Sequence, residues 1–185
     1  LRAMVKYMRQ TDMLYTPAYM MRAVTDYPDI ADLFLEYFYA RHKPAHSKDK
    51  RQSWMKSNKK KILKKLENVS SYDQDRILRH LLQILESTLR TNFFQNKPYV
   101  SFKLDSQQID ILPQPKPWKE IFVYSTKVEG IHLRGGKVAR GGLRWSDRHE
   151  DFRTEVLGLM KAQTVKTAVI IPVGSKGGFV IKNPP

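Results

Sequence analysis

Four cations sit where two glycine-rich stretches could bring them to one small ligand. Arg140 and Arg144 lie in Val138-Ala-Arg-Gly-Gly-Leu-Arg144, Lys176 lies in Gly174-Ser-Lys-Gly-Gly178, and Lys166 ends the stretch between them. Glycine lets a backbone come close to a ligand. Cations converging there suit a small anion with more than one negative group, such as a dicarboxylate. A lysine flanked by glycines and desolvated near other cations loses basicity. Lys176 is the best placed of the four to transfer a proton or polarise a carbonyl at neutral pH. The plainer alternative is a glycine turn carrying an exposed lysine.

These residues need rigid elements to hold them. Asp151 to Lys166 reads as a helix, with Phe152, Val156, Leu159, Met160 and Gln163 on one side. Asp147 and Glu150 suit its start as a variant capping box. Ala168-Val-Ile-Ile-Pro-Val173 reads as a short buried strand, and Gly174 to Gly178 as a turn after it. Upstream, Val100, Phe102 and Leu104 alternate with polar residues as in a half-buried strand. Ile121 to Tyr124 and Val128 to Leu133 read as two more, and Lys137 to Trp145 as a turn with a fourth. Pro113, Pro115 and Pro117 make an extended connector.

The first half is helical. Leu1, Met4, Val5 and Met8 follow helical spacing, and Thr16-Pro17 and Tyr27-Pro28 are helix starts. Ile30, Leu33, Phe34, Tyr37 and Phe38 form an apolar stripe. His42 to Asn58 reads as a loop anchored by Trp54, followed by a short basic helix from Lys59 to Leu66. Ser71-Tyr-Asp-Gln74 matches a capping box. The helix after it carries Ile77, Leu78, Leu81, Leu85 and Leu89 and is expected to end between Asn92 and Asn96. The fold class is α+β: a helical module over residues 1–95, then the first part of an α/β domain over 96–185.

Composition narrows the function. At 41% hydrophobic residues the chain can build a core. It has no cysteine, so no disulfide framework and no thiolate metal site. No apolar run is long enough to span a membrane. The first residues lack the apolar core of a signal peptide. An opening Leu1 and an ending at Asn183-Pro-Pro185 suggest a piece of a longer protein. The net charge of +15 invites a polyanion-binding reading. Between Arg41 and Leu66, however, eleven lysines and arginines face the single Asp49, so most of that charge lies in one polar segment. A solvated helix face accounts for it; a non-enzymatic RNA- or polyanion-binding arm is the competing reading.

Other site chemistries fit less well. Gly136-x4-Gly141 is followed by Gly142-Leu143 instead of Lys-Ser/Thr, so there is no P-loop. No Gly-x-Gly-x-x-Gly lies between a strand and a helix, so no dinucleotide fold is encoded in these residues. His132 and His149 are isolated, and no metal site is expected.

Three stretches closely resemble the large bacterial NAD-specific glutamate dehydrogenases. They are Val128-Glu-Gly-Ile-His-Leu-Arg-Gly-Gly-Lys-Val-Ala-Arg-Gly-Gly-Leu-Arg-Trp-Ser-Asp-Arg148, Asp151-Phe-Arg-Thr-Glu-Val-Leu-Gly-Leu-Met-Lys-Ala-Gln-Thr-Val-Lys166, and Pro172-Val-Gly-Ser-Lys-Gly-Gly-Phe179. Arg9-Gln-Thr11, Asp75-Arg-Ile-Leu-Arg79 and Leu89-Arg-Thr-Asn-Phe93 are similar to the segment preceding that family's catalytic domain. The resemblance implies oxidation of L-glutamate with water and NAD to 2-oxoglutarate, ammonia and NADH. It implies that Lys176 is catalytic, activating water to form the carbinolamine, and that Gln163 and Lys166 hold the substrate 1-carboxylate. The position that holds the distal carboxylate is commonly lysine; here it is Arg140, whose guanidinium can grip a carboxylate with two hydrogen bonds. Arg144 is the next candidate for that role. The acid–base aspartate and the Rossmann domain that binds NAD are expected beyond Pro185, so this chain alone should not oxidise glutamate. The parent enzyme is expected to be a cytoplasmic homo-oligomer with no nucleic-acid, membrane or metal partner.

Overall fold

The computed structural model describes residues 1–44, 47–167, 169 and 173–183. Two compact units are present. One comprises Leu1–Lys6 and Leu14–Glu86; the other comprises Tyr7–Met13 and Ser87–Pro185. The helical-to-sheet change expected after residue 95 therefore compares with a division at Glu86/Ser87, and a short N-terminal segment belongs to the second unit.

The first unit is helical: most of α1 (Arg2–Arg9), then α2 (Pro17–Thr25), α3 (Pro28–His42), α4 (Lys48–Leu66) and α5 (Tyr72–Ser87). Thr16 caps α2 as its sequence requires, its hydroxyl oxygen accepting the Tyr19 N–H at 3.2 Å, with Pro17 in the first turn. The Ser71 box is half formed. The Gln74 N–H reaches Ser71 Oγ at 3.4 Å, but the Gln74 side-chain amide turns to Asp26 at 2.8 Å. The stripes of α3 and α5 are buried at Ile30, Phe34, Tyr37 and Phe38 and at Ile77, Leu78, Leu81 and Leu85.

Two expectations change here. Of the loop expected from His42 to Asn58, His42 ends α3 and the residues from Lys48 onward are the front of α4, a single helix through Leu66. Lysine, arginine and glutamine favour helix without packing. Only at its far end do Asn58, Ile62 and Leu66 form a buried stripe at helical spacing, and Trp54 is exposed. The lysine run is a solvated face with local partners: Lys59 bonds Glu86 at 2.6 Å and Lys65 bonds Asp29 at 2.8 Å. The helix expected to reach Asn92 ends at Ser87. The chain continues as β1 (Thr88–Thr91), leaving Leu89 on a strand and 38% exposed.

Among the described residues the second unit is a mixed seven-stranded sheet with one long helix. After β1 come β2 (Val100–Leu104), β3 (Lys119–Tyr124), β4 (Val128–Arg134), β5 (Ala139–Arg140), β6 (Leu143–Trp145), α6 (Phe152–Thr167) and β7 (Val173–Ile181). The spatial order is β1-β2-β3-β4-β7-β5, with β6 also pairing β7. β1 to β4 and β7 pair antiparallel; β5 and β6 run parallel to β7. Register places Phe102, Phe122 and Ile131 in one cross-strand row and Leu104, Glu120 and Leu133 in the next. All six are buried on one face. α6 packs on β7 and β4. The strand expected at 168–173 lies mostly outside the described residues. The expected glycine turn at 174–178 is instead the front half of β7. No described helix is long and apolar enough to cross a membrane.

His42 carries a pH dependence. Burial first, then the neighbouring charges of Arg41 and Arg51, lower its pKa from 6.5 to about 4. Its Nε2 is buried with no hydrogen-bond partner among the described residues. Between pH 6.5 and 4 the unfolded chain binds the extra proton and the folded chain does not. Stability is therefore full above about pH 6.5 and falls as the pH drops toward 4. The expected loss through this group is at most roughly 3 kcal/mol. His42→Leu should flatten that limb in urea unfolding measured from pH 7 to pH 4; an unchanged slope would show that other groups set it.

Candidate active site

Lys176 lies in the middle of β7, half-buried, opposite Leu133 on β4. Side chains alternate along a strand, so Lys176 shares a face with Gly174 and Gly178. That is the face against α6. A Cβ added at Gly174 would lie 2.7 Å from Met160 O and Thr164 N and 2.9 Å from Gln163 Cβ. One added at Gly178 would run into Val156 Cγ2. The two glycines therefore bring α6 onto β7 closer than any side chain allows, and Lys176 stands between these two points of closest approach. Thr164 completes the junction. Its hydroxyl donates to Met160 O at 3.0 Å and accepts the Gly174 N–H at 2.9 Å.

The other edge of β7 is held by the first glycine-rich stretch. Arg140 is in register with Gly174, and Arg144 with Gly178. Between them, Gly141 passes against the Ser175 carbonyl with no room for a Cβ, and Gly142 O accepts the Gly177 N–H at 3.0 Å. Arg140 and Lys166 are exposed, and Gln163 is half-buried against Gly174. Arg140 and Gln163 thus both lie next to Gly174, two residues before Lys176, with Lys166 one helical turn beyond Gln163. Arg144 differs: its Nε forms an ion pair with Glu155 Oε1 at 2.8 Å, while Ser146 Oγ donates to Glu155 Oε2 at 2.5 Å. That carboxylate ties β6 to α6 through Arg144. His132 lies across from Gly177. Burial, with Arg134 adding to it, lowers its pKa, which favours the neutral ring. No group of three or more potential metal ligands occurs among the described residues.

This geometry sits within a recognisable sequence. A family model described as bacterial NAD-glutamate dehydrogenase, catalytic domain, matches residues 61–185, and one described as glutamate dehydrogenase, helical motif 3, matches residues 1–44. The chain belongs to the bacterial NAD-glutamate dehydrogenase family. It is 50% identical to an NAD-specific glutamate dehydrogenase of Pseudomonas aeruginosa, 47% to one of Halomonas elongata and 45% to one of Mycobacterium tuberculosis. Each match covers all of this chain but 12% of the relative's length.

The family's name raises the question of where NAD could bind. Among the described residues the parallel strand–helix–strand unit is β6–α6–β7. Its strand-to-helix turn, Ser146 to Asp151, contains no glycine. At the helix start the Arg153 N–H is already taken by Gln10 Oε1 at 3.2 Å. A pyrophosphate needs a glycine turn and open helix N–H groups, so these residues do not fit a dinucleotide.

Sequence reasoning missed the residues that seat α6 on the sheet. The start of the helix is bonded by Gln10 and not by the expected Asp147 and Glu150 box. Glu150 instead pairs with Arg9. Arg153 and Glu120 are completely or almost completely buried and face each other. Arg153 Nε donates to Glu120 Oε2 at 3.0 Å; Nη2 lies 2.9 Å from the same oxygen, within ion-pair range but not aligned as a hydrogen bond. The Tyr7 hydroxyl donates to the other carboxylate oxygen. Burial, then the Glu120 charge, push the Tyr7 pKa well up, so the phenol stays protonated as a donor. Burial pulls the Arg153 pKa down, but Glu120 and Tyr7 outweigh it. One signal was available: Arg153 interrupts the stripe Phe152, Val156, Leu157, Met160, and Glu120 interrupts the alternation at Phe122. Removing one buried partner strands the other charge. Glu120→Ala should lower the unfolding free energy by roughly 3–5 kcal/mol, whereas Glu120→Leu with Arg153→Met should cost much less. Equal losses in the single and double variants, by chemical denaturation, would show that the pair is not the cause.

Proposed function

We propose that this chain forms the glutamate-binding part of an NAD-specific glutamate dehydrogenase, which converts L-glutamate, water and NAD to 2-oxoglutarate, ammonia and NADH. The observation that carries the reading is Lys176 on β7 two residues after Gly174, where Arg140 pairs with Gly174 from β5 and Gln163 packs against it from α6. NAD supplies hydride acceptance when bound, and it is assigned to residues outside this chain.

Lys176 acts on the deamination half of the reaction. Its Nζ takes a proton from the attacking water, and the resulting ammonium stabilises the negative charge that develops as the tetrahedral carbinolamine forms and collapses. Gln163 and Lys166, one turn apart on α6, hold the 1-carboxylate by an amide donor and a cation. Arg140, exposed and with no ion pair among the described residues, takes the distal carboxylate in a two-pronged contact. Arg144 is assigned a scaffolding role, because Glu155 engages it. The paired lysines of α4 favour the solvated-face account of the basic segment over a polyanion-binding arm.

Two outcomes test the reading in the full-length enzyme. Lys176→Ala should lower kcat by at least about a hundredfold, near 2.7 kcal/mol in barrier. Lys176→Arg should rescue little, because a guanidinium keeps the charge but does not release a proton near neutral pH. Full activity in the arginine variant would reduce Lys176 to a fixed charge. Arg140→Ala should raise the KM for glutamate by roughly ten- to a hundredfold, the loss of a contact of about 1.5–3 kcal/mol. Discrimination between glutamate and norvaline should shrink with it. If the variant separates the two substrates as well as the wild type does, Arg140 does not read the distal carboxylate.

A further inference from the structure

We propose that Gln10 and Tyr7 are positioning residues for the substrate-binding helix α6, supplied by a segment outside the catalytic-domain match. This rests on the assignment of Gln163 and Lys166 to the substrate. The catalytic-domain match begins at residue 61, and residues 1–44 match a separate helical motif. Yet Tyr7–Met13 belongs to the same compact unit as the sheet and α6. Its side chains do two jobs there.

Gln10 is 4% exposed, and every polar atom of its side chain is used. Its Oε1 accepts the Arg153 N–H at 3.2 Å, and its Nε2 donates to the carbonyls of His149 at 3.2 Å and Glu150 at 3.1 Å. One amide thus joins the first turn of α6 to the loop that enters it. That matters because the first N–H groups of a helix have no partner within the helix. Tyr7 acts three residues earlier. Its hydroxyl holds one oxygen of Glu120 while Arg153 holds the other, and its ring lies 5.5 Å from that of Phe122. Gln10 therefore sets where α6 begins, and Tyr7 orients the carboxylate that sets how α6 is rotated on the sheet. Gln163 and Lys166 lie three to four turns further along the same rigid rod. A small tilt at the first turn becomes a larger displacement at that end. Neither residue touches the substrate, and both act through the helix.

The test uses the full-length enzyme with Gln10→Met, which keeps the volume and removes all three hydrogen bonds. Tyr7→Phe, which keeps the ring and removes one hydroxyl, is the milder companion should the first fold poorly. The readouts are kcat, KM for glutamate, KM for NAD, and amide hydrogen exchange in the first turn of α6. Expected are a rise of about tenfold in glutamate KM for Gln10→Met and about threefold for Tyr7→Phe, with NAD KM within about twofold. Exchange at residues 153–156 should quicken. Glutamate KM within about twofold of wild type in both variants overturns the proposal, even if exchange quickens, because the contacts would then be structural only. Glutamate and NAD KM rising together also overturns it. Lys166→Ala separates the underlying assignment. If it leaves glutamate KM unchanged while Gln10→Met raises it, the substrate role of Lys166 fails and the positioning role stands; the reverse pattern removes the positioning role and keeps the assignment.

Discussion

The sheet-and-helix unit depends on a buried ion pair. Arg153 on α6 and Glu120 on β3 meet with almost no solvent, and the Tyr7 hydroxyl occupies the carboxylate's second oxygen. Taking two charges out of water costs several kcal/mol per ion, and their attraction repays it only in good geometry. Such a pair therefore contributes less to stability than to register. An apolar contact tolerates a helix that slides or rotates by part of a turn. A buried guanidinium does not, because every alternative leaves an unpaired charge in a low-dielectric interior. Glu120 lies in the row with Leu104 and Leu133, and Leu133 lies opposite Lys176. The charge that sets the helix is thus two strands from the lysine at the centre of the site.

With the register set, glycine sets the distance. Helix-on-sheet packing normally leaves space for the side chains between the two backbones. Here Gly174 and Gly178 remove them, and α6 comes down until Met160 O, Thr164 N and the Val156 methyl occupy the places of the missing Cβ atoms. On the other edge Gly141 lets the β5–β6 connection run against the Ser175 carbonyl. Lys176 is left as a long side chain on a strand gripped from both sides. This is stricter than the turn that its glycines suggest in the sequence. A turn offers freedom, whereas a strand bonded along both edges restricts where Nζ can go. Glycine here serves close approach: none of the described glycines has a positive φ.

Much of this was legible in the amino-acid sequence, for reasons that are local. The helix from Phe152, the α3 stripe, the Thr16-Pro17 cap and the alternation in β2 follow from periodicity and capping, which operate within a few residues. The family could be recognised because the types and spacing of the C-terminal motif residues are specific to it. The front of α4 was not legible, since its helix is supported by propensity in a solvated segment with no apolar period to announce it. Nor was the end of α5 at Ser87. Leu89 continues the heptad-like spacing, but the chain there is recruited as an edge strand by β2, and strand pairing depends on a partner distant in sequence.

The sequence by itself determined the fold class and the family. Each depends on residue identity and short-range order. Only the tertiary structure decided where the residues of the glycine-rich stretches lie. It placed the second glycine motif in a strand, engaged Arg144 with Glu155 while leaving Arg140 exposed, and brought Tyr7 and Gln10 more than a hundred residues along the chain to the start of α6. The physical reason is that a buried polar group must find a partner wherever the fold puts one. Local sequence shows that Arg153 and Glu120 are out of place on their apolar faces, but only the packed sheet and helix show that they answer each other.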